Sequence, residues 1–393
     1  MTRLLPILAG LAFISLGLPD GLLGVAWPSI RASFGLPLDA LGVLLIAGTA
    51  GYVASSFSSG RVLRRVNLGT VLAASCGLTA AGLLGYATAP QWPMMVALGV
   101  LLGLGAGAID SGLNAYVATH YGPRTLNWLH ACYGIGAATG PIIMTAVLER
   151  GLGWRRGYAI VAAAQVVLAV CFALSIAWWP PTGGSASHAD HAAGATISAT
   201  LKQPAARLGI AVFVAYAGLE SSIGAWTYTL LTAGRGVPPV QGGIAVTLFF
   251  GSLTGGRLLA AIAGGRVSVT RLLNLAIAGV MAGAVLIWLD LGTAWTFAAV
   301  AIAGCSCGPI FPTLVATTPA RLGPAHATNA VGFQIAAAAV GLSTVPGLVG
   351  ITADRLGVEI IATLFVALAL LLAVVCGLLD SLAPLRSTEP SVS

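Results

Sequence analysis

The chain has 393 residues, of which 58% are hydrophobic and 7% are charged, and its mean hydropathy is +0.95. This balance excludes a soluble globular domain, because a single core cannot bury so much apolar surface. The net charge of +7 comes from basic residues in short loops rather than from a basic, aromatic-rich domain, which excludes nucleic-acid binding and indicates membrane topology and attraction to anionic lipid.

Apolar segments recur along the whole chain, and each is long enough to cross about 30 Å of hydrocarbon as a helix of about 20 residues. A helix satisfies its own backbone polar groups, which lipid cannot do. We therefore predict an all-α membrane protein with twelve transmembrane helices in two pseudo-symmetric bundles of six. The predicted spans are 4–30, 38–60, 68–89, 93–119, 125–148, 157–179, 207–233, 239–263, 269–290, 294–317, 326–350 and 357–382.

A segment of small and polar residues, "PPTGGSASHADHAAGATISATLKQP", separates the sixth span from the seventh. Its composition is typical of a flexible linker. We therefore divide the chain into an N-terminal bundle (1–180), a flexible cytoplasmic linker (181–206) and a C-terminal bundle (207–393). The tripeptide V-A-T occurs at corresponding places in the two halves, which indicates an internal duplication with a substrate site at the midplane between them.

Basic residues concentrate on the side of the membrane that would hold both termini, which predicts cytoplasmic termini. The segment "RGLGWRR" at 150–156 lies on the other side and opposes this assignment. The N-terminal apolar run continues past the length of a signal peptide, so we predict an uncleaved first span. We expect a monomeric protein of the bacterial cytoplasmic (inner) membrane, surrounded by lipid and without a nucleic-acid partner.

Three acidic residues lie about ten or more residues from either end of their predicted spans, and hence near the bilayer centre: Asp20, Asp110 and Glu220. An ionised carboxylate at that depth is costly unless it is paired, hydrated or protonated. We expect no base at comparable depth, since the nearest, Arg257, lies about two turns from its loop. We therefore predict that the three acids carry protons for coupling.

The alternative is that each acid has a structural role and is hydrogen-bonded to a neighbouring helix. This alternative is strongest for Glu220, because Ser221, Ser222 and Tyr216 lie close to it in sequence and could donate hydrogen bonds.

Amides and aromatic rings near the acids are candidates for binding a hydroxylated solute, because sugar C–H faces lie on rings and hydroxyls bond to amides and carboxylates. His130 could instead relay protons or bond to a backbone carbonyl, and Trp226 could be a packing residue. The predicted substrate-binding residues are Asn114, Asn127, His130, Tyr133, Trp226 and Gln334.

Four segments, "GLPDGLLGVAWPSI", "GLGAGAIDSGLNAYV", "LNWLHACYGIGAATGP" and "YAGLESSIGAWTYTLL", resemble the fucose permease type of sugar:proton symporter within the major facilitator superfamily. The resemblance implies the major facilitator fold and alternating access of two bundles around a central cavity. It also implies acidic residues in spans 1 and 4, matched by Asp20 and Asp110, with Asn114, Asn127 and His130 as polar neighbours.

The segment "GRVLRRVNLG" resembles a degenerate form of the superfamily's loop between spans 2 and 3. The resemblance implies a conformational role for this loop. Its predicted members are Gly60, Arg61, Arg64 and Arg65.

One segment favours a different direction of transport. "GAATGP" at 136–141 resembles the G-x-x-x-G-P signature of drug:proton antiporters, and an acid-lined cavity also suits lipophilic cations. We expect a proton-coupled transporter of a small neutral hydroxylated solute such as a monosaccharide. The alternatives are an antiporter that exports amphipathic or cationic compounds and a non-transporting receptor or scaffold. We expect no enzymatic activity, no metal and no cofactor other than a coupling ion, H⁺.

Overall fold

The computed structural model describes residues 4–121, 123–179, 195–263 and 266–385, and it describes the backbone alone at 118, 119, 123, 124, 126 and 127. Within these residues, twelve segments are long and apolar enough to cross a membrane, and the predicted all-α fold class is confirmed. The helices are α1 (Leu4–Phe34), α2 (Ala40–Leu63), α3 (Leu68–Thr88), α4 (Trp92–His120), α5 (Pro123–Glu149), α6 (Trp154–Leu174), α7 (Ile197–Lys202), α8 (Pro204–Thr229), α9 (Pro239–Ala263), α10 (Val269–Leu289), α11 (Thr293–Cys307), α12 (Ile310–Leu322), α13 (Pro324–Leu356) and α14 (Ile360–Leu382).

The tenth span is broken, although the sequence pattern predicts one helix over 294–317. α11 ends at Cys307 and α12 begins at Ile310. Pro309 between them has no N–H to donate, and its ring disfavours a continuous helix. The Cys307 carbonyl oxygen instead accepts a hydrogen bond from the Tyr216 hydroxyl of α8 at 2.9 Å. The break thereby ties the tenth span to the seventh.

The boundary between the second span and the predicted conformational loop differs from the structure. Gly60 and Arg61 belong to α2, which continues to Leu63, so only Arg64 and Arg65 of the predicted conformational loop follow the helix. A single glycine on an exposed helix face weakens a helix without ending it, and apolar residues continue the helix beyond Gly60.

The part of the predicted linker that the structure describes, 195–206, contains a short helix, α7, and the start of α8. Thr196 caps α7, accepting a hydrogen bond from Ala199 N at 3.2 Å, and α8 already begins at Pro204. The amide of Asn329 on α13 donates to the Ala195 carbonyl oxygen at 2.8 Å, so the segment around α7 is attached to the C-terminal bundle. Residues 181–194 of the predicted linker lie outside the described residues.

Helices of each half pack mainly against helices of the same half. In the N-terminal bundle, α1 packs along α5, α2 along α4, and α3 against α4 and α6. In the C-terminal bundle, α8 packs along α13 and α14, and α9 and α10 pack against α11. The bundles meet where α5 contacts α9, where α2 contacts α13 and where α1 contacts α8.

Two close contacts between the bundles lie on the side of the membrane opposite Leu4, and we call the side of Leu4 the terminal side. Near the start of α2, Gly42 approaches Gly347 so closely that a Cβ on Gly42 would lie 2.6 Å from the Gly347 Cα. The Leu38 N–H donates to the Asp354 Oδ1 of α13 at 3.0 Å. Both contacts lie at the end of the membrane towards which α1 and α13 run.

The buried apolar residues show the same asymmetry. One cluster combines the C-terminal bundle with residues of the N-terminal bundle from the opposite side, such as Leu22, Ile30 and Leu41. A second cluster contains only N-terminal-bundle residues from the terminal side, such as Leu5, Leu72 and Ile109. The described residues of the two bundles therefore share a core on the opposite side and none on the terminal side, and we infer that a central cavity opens there.

Candidate functional site

Asp20 lies near the middle of α1 and is exposed to solvent despite that depth. Its Oδ2 accepts a hydrogen bond from the Tyr133 hydroxyl of α5 at 2.6 Å. Glycine on α1 makes this meeting possible, because a Cβ on Gly17 would collide with the Tyr133 carbonyl oxygen. The Asp20 carboxylate thus faces the cavity with a neutral hydroxyl as its hydrogen-bond donor.

Asp110 lies on α4 and has two neutral donors. The Tyr52 hydroxyl of α2 donates to its Oδ2 at 2.5 Å, and the Asn114 amide, one turn along α4, donates to its Oδ1 at 2.9 Å. Glycine on α4 permits the close approach of α2, since a Cβ on Gly107 would collide with the Tyr52 carbonyl oxygen. The Oδ1 atom of Asn114 is buried without a hydrogen-bond partner among the described residues.

Glu220 lies on α8 and has a base beside it, which corrects the expectation that no base reaches this depth. The Arg257 Nη2 of α9 lies 3.6 Å from the Glu220 Oε1. The expectation used the depth of the Arg257 Cα atom, whereas a long arginine side chain places its charge several ångströms from its backbone. The Tyr216 hydroxyl, one turn before Glu220, also contacts its carboxylate. Of the three donors that the sequence suggested, Tyr216 is the one whose hydroxyl reaches Glu220 among the described residues. Its single proton is shared between this carboxylate and the Cys307 carbonyl oxygen.

Two side chains of α5 interact both with an acid of the N-terminal bundle and with Arg257 of the C-terminal bundle. His130 packs edge-on against Phe13 with ring centroids 5.5 Å apart, and it lies within electrostatic range of both Asp110 and Arg257. Tyr133 lies within electrostatic range of Arg257 as well as bonding to Asp20. The three acids therefore belong to one polar region around the central cavity.

The structure brings three of the predicted substrate-binding residues to this region, namely Asn114, His130 and Tyr133. The side chain of Asn127 lies outside the described residues. The other two predicted residues, Trp226 and Gln334, lie elsewhere.

Trp226 is fully buried and packs between helices, which corrects its predicted role as a surface for stacking a solute. Its indole N–H donates to the Pro346 carbonyl oxygen at 2.9 Å, and its ring packs where Gly350 of α13 leaves space. Pro346, inside α13, has no N–H for the Leu342 carbonyl oxygen one turn earlier, and that oxygen instead accepts a hydrogen bond from the Ser221 hydroxyl of α8 at 3.1 Å. Trp226 and Ser221 thus both attach α8 to α13 near this proline.

Gln334 is 5% exposed and points into the C-terminal bundle, which likewise corrects its predicted role. Its Oε1 accepts from the Thr318 hydroxyl at 2.9 Å. Gln334 lines a small internal cavity of about 10 Å³ with Arg321, a volume that suits about one water molecule.

Sequence reasoning missed Tyr52 as a partner and underestimated Arg257. Tyr52 is 58 positions from Asp110, so no local spacing links the two. Arg257 could have been found by adding the length of its side chain to the depth of its Cα.

The sequence matches the family described as Major Facilitator Superfamily over residues 9–346. The chain belongs to the Major Facilitator Superfamily. Among curated proteins, none matches it in sequence. Membership of this superfamily indicates an integral membrane transporter rather than an enzyme.

Solved structures with the same fold include two named transporters. A mutant of the nucleoside transporter NupG is 15% identical, with a TM-score of 0.77 over 95% of this chain and 98% of that chain. A bacterial homolog of the human lysosomal transporter Spinster, in an inward-facing and occupied conformation, is 14% identical, with a TM-score of 0.75 over 97% of this chain and 96% of that chain. At these identities the likeness shows the fold alone, and the resemblance to the fucose permease type stays a prediction.

Proposed function

We propose that this protein is a proton-coupled secondary transporter that carries a small neutral hydroxylated solute, such as a monosaccharide, by alternating access. Asp20 and Asp110 are the proton-carrying carboxylates. The solute binds between the bundles, in contact with Asn114, His130 and Tyr133.

One observation carries the proposal: Asp20 and Asp110 lie at mid-membrane with neutral hydrogen-bond donors and no ion pair to either of them among the described residues. A carboxylate held by hydroxyl and amide groups can accept a proton without leaving an unpaired base behind. An acid whose role was purely structural would be better held by a cation, as Glu220 is by Arg257.

A neutral solute fits the cavity better than a cation does. Arg257 cancels the charge of one of the three acids, and its side chain is 27% exposed. A positively charged solute would meet this guanidinium as well as the two aspartates. The cavity is therefore less acidic than the sequence indicated, which weakens the case for export of lipophilic cations.

The direction of transport and the cellular membrane are assigned from the side on which the cavity opens and from the distribution of basic residues in the loops. The cavity opens on the terminal side, and the bias of basic loops favours the cytoplasm on that side. We assign the protein to a bacterial cytoplasmic membrane with both termini inside. In this assignment the structure corresponds to an inward-open state, from which solute and proton leave for the cytoplasm.

The test is proton movement in proteoliposomes that contain a pH-sensitive dye. D-glucose, L-fucose, D-ribose and uridine are added separately, and tetraphenylphosphonium and ethidium serve as cationic solutes. Wild type is compared with Asp20→Asn and Asp110→Asn. Glu149→Gln is the matched control, because Glu149 is an exposed acid at the end of α5.

We expect a hydroxylated solute to drive proton entry in wild type and in Glu149→Gln, and neither aspartate variant to show it. Proton movement with the cations alone would replace the proposal with the antiporter alternative. Proton-coupled transport that survives in both aspartate variants would contradict the assignment of the coupling residues.

A further inference from the structure

The Glu220–Arg257 pair differs from the other ion pairs of the C-terminal bundle. Arg235 lies 2.5 Å from Glu359 and 3.2 Å from Asp290, and Arg321 lies 2.5 Å from Asp380. These two arginine side chains are only 4–5% exposed, although their acidic partners are 29–58% exposed. The Glu220–Arg257 atoms are 3.6 Å apart, and the two side chains are 17% and 27% exposed.

The longer distance leaves hydrogen-bonding capacity unused. Charge-assisted N–H···O bonds are normally about 2.7–2.9 Å long, so a separation of 3.6 Å is an electrostatic pair without a strong direct hydrogen bond. The Arg257 Nε is also buried without a hydrogen-bond partner among the described residues. Glu220 retains acceptor positions, because a carboxylate has about four lone-pair sites.

The pair lies beside the N-terminal bundle, because α9 packs on α5 where Thr254, three residues before Arg257, contacts Gly134 next to Tyr133. Arg257 lies within electrostatic range of His130 and Tyr133, both on α5, and Tyr133 bonds directly to Asp20. A solute beside Asp20 and Tyr133 would therefore be within reach of Glu220 and Arg257 on its other side.

We propose that Glu220 and Arg257 form the C-terminal half of the solute site and that they recognise a vicinal diol. One hydroxyl of the diol donates to the Glu220 carboxylate, and the oxygen of the adjacent hydroxyl accepts from the Arg257 guanidinium. This inference rests on the proposed function and narrows its solute class from hydroxylated compounds to those with two neighbouring hydroxyls.

The distance between the Glu220 and Arg257 side chains suits a vicinal diol. Two vicinal hydroxyl oxygens lie about 2.8 Å apart, similar to an O–H···O hydrogen bond, so they can bridge a donor and an acceptor whose atoms are 3.6 Å apart. A hydroxyl is both donor and acceptor, whereas an ionised carboxylate only accepts and a guanidinium only donates. A diol therefore satisfies both partners at once.

Charged solutes suit the pair less well. An anion that bound Arg257 would meet the negative charge of Glu220, and a cation that bound Glu220 would meet Arg257. Because the pair as a whole is neutral, it selects for a neutral group with both hydrogen-bonding functions.

The two halves of the site then have different functions, proton exchange in the N-terminal half and solute recognition in the C-terminal half. Asp20 and Asp110 exchange protons, whereas Glu220 is held as a counter-charge by Arg257 and contacts the solute. Removing a diol hydroxyl should then affect binding through the C-terminal half, while proton coupling remains in the N-terminal half.

The test compares matched solutes that differ in one hydroxyl, whose loss removes every vicinal diol: uridine with 2′-deoxyuridine, methyl β-D-ribofuranoside with its 2-deoxy form, and methyl α-D-glucopyranoside with its 3-deoxy form. Apparent affinities are measured by counterflow in proteoliposomes, which needs no proton gradient. The proteins are wild type, Glu220→Gln, Arg257→Lys and Asp20→Asn. Arg321→Lys is the matched control, because it makes the same exchange in a tight ion pair with Asp380, away from the space between the bundles.

We expect wild type to prefer the diol member of at least one pair by about tenfold or more, and Arg321→Lys and Asp20→Asn to keep this preference. Glu220→Gln and Arg257→Lys should reduce the preference to about twofold or less, mainly by weakening the diol member. Glutamine still accepts a hydrogen bond but without charge, and lysine cannot reproduce the planar guanidinium.

A purely structural ion pair would lower the melting temperature of both variants in detergent and leave the ratio between matched solutes unchanged, and that result would overturn the inference. If one variant fails to fold, the other gives the same comparison. A wild type that transports these solutes without preferring the diol would overturn the inference and leave the proposed function standing. A wild type that transports none of them would overturn both.

Discussion

The two halves of the site hold their acids in different ways. In the N-terminal bundle, Asp20 and Asp110 accept hydrogen bonds from neutral tyrosine and asparagine side chains. In the C-terminal bundle, Glu220 lies beside Arg257 as well as Tyr216. Each acid thus has a tyrosine partner, and only Glu220 has a charged partner among the described residues.

The difference teaches that depth in the membrane does not define a carboxylate's role. Protonating Asp20 or Asp110 removes a costly charge, whereas protonating Glu220 would leave the Arg257 guanidinium without its counter-charge. The first two acids are therefore suited to gain and lose protons. Glu220 is suited to stay ionised and to bind.

The largest expected effect is on the number of protons moved per solute. The double variant Asp20→Asn, Asp110→Asn should bring this ratio to zero, because an amide cannot carry the proton. Glu220→Gln should weaken solute binding and keep the ratio of wild type. Parallel recordings of dye signal and radiolabelled solute uptake measure the ratio, and a loss of coupling in Glu220→Gln would break the distinction between the halves.

Replacing an acid by alanine should lower the stability of the protein more in the C-terminal half of the site than in the N-terminal half. Glu220→Ala leaves Arg257 unpaired and should destabilise the protein by about 2 to 3 kcal/mol, less than the 3 to 5 kcal/mol of a fully buried pair because both side chains are partly exposed. Asp20→Ala, which leaves only a hydroxyl in a solvent-accessible cavity, should cost less than about 1 kcal/mol. Thermal melting in detergent compares them.

The double variant Glu220→Ala with Arg257→Ala is the control for that prediction. It should melt at a higher temperature than Glu220→Ala alone, because no uncompensated charge remains. A double variant that melts lower than either single variant would mean that packing, rather than charge pairing, explains the loss.

The tyrosine partners offer a finer comparison. Tyr216→Phe removes a fully buried hydroxyl that contacts both Glu220 and the Cys307 carbonyl oxygen, and it should cost about 1.5 to 3 kcal/mol. Tyr133→Phe should cost about 1 kcal/mol or less, because water in the cavity can replace its hydroxyl beside Asp20. Equal melting temperatures for the two variants would contradict the difference in environment.

The smallest expected effect on transport comes from Trp226. Trp226→Phe loses the hydrogen bond to Pro346 and should lower the melting temperature, yet it should change the apparent solute affinity by no more than about twofold. A solute that stacked on the indole would instead bind far more weakly. Competition binding with D-glucose and uridine measures the effect, and Arg257→Lys serves as the comparison that weakens binding.

Much of the fold could be predicted because its main signal is local. A run of about 20 apolar residues must span lipid as a helix whatever surrounds it, so the spans could be placed within a few residues at most ends. The break at Pro309 was missed because an apolar run hides it, although proline in a helix interior is a local sign of a break. The predicted linker contains a short helix at 197–202, and the segment is attached to α13 through Asn329, a contact that composition does not reveal.

The candidate site could be predicted only in part. The three acids stand out because a charge inside an apolar span is costly wherever the span lies. Trp226 and Gln334 were placed in the site by residue type, but the direction in which a helix turns its side chains depends on its neighbours. Both residues face the interior of the C-terminal bundle.

By itself, the sequence determined that the protein is an integral membrane protein, that it has twelve apolar spans in two halves, and that Asp20, Asp110 and Glu220 lie well inside their spans. Each follows from hydropathy and spacing along a single helix. Only the tertiary structure decided which of these acids has a cation, because the partners Tyr52, Tyr133 and Arg257 come from other helices. It also decided that the cavity opens on the terminal side, since that depends on how two rigid bundles meet through Gly42 and Gly347 rather than on the composition of either.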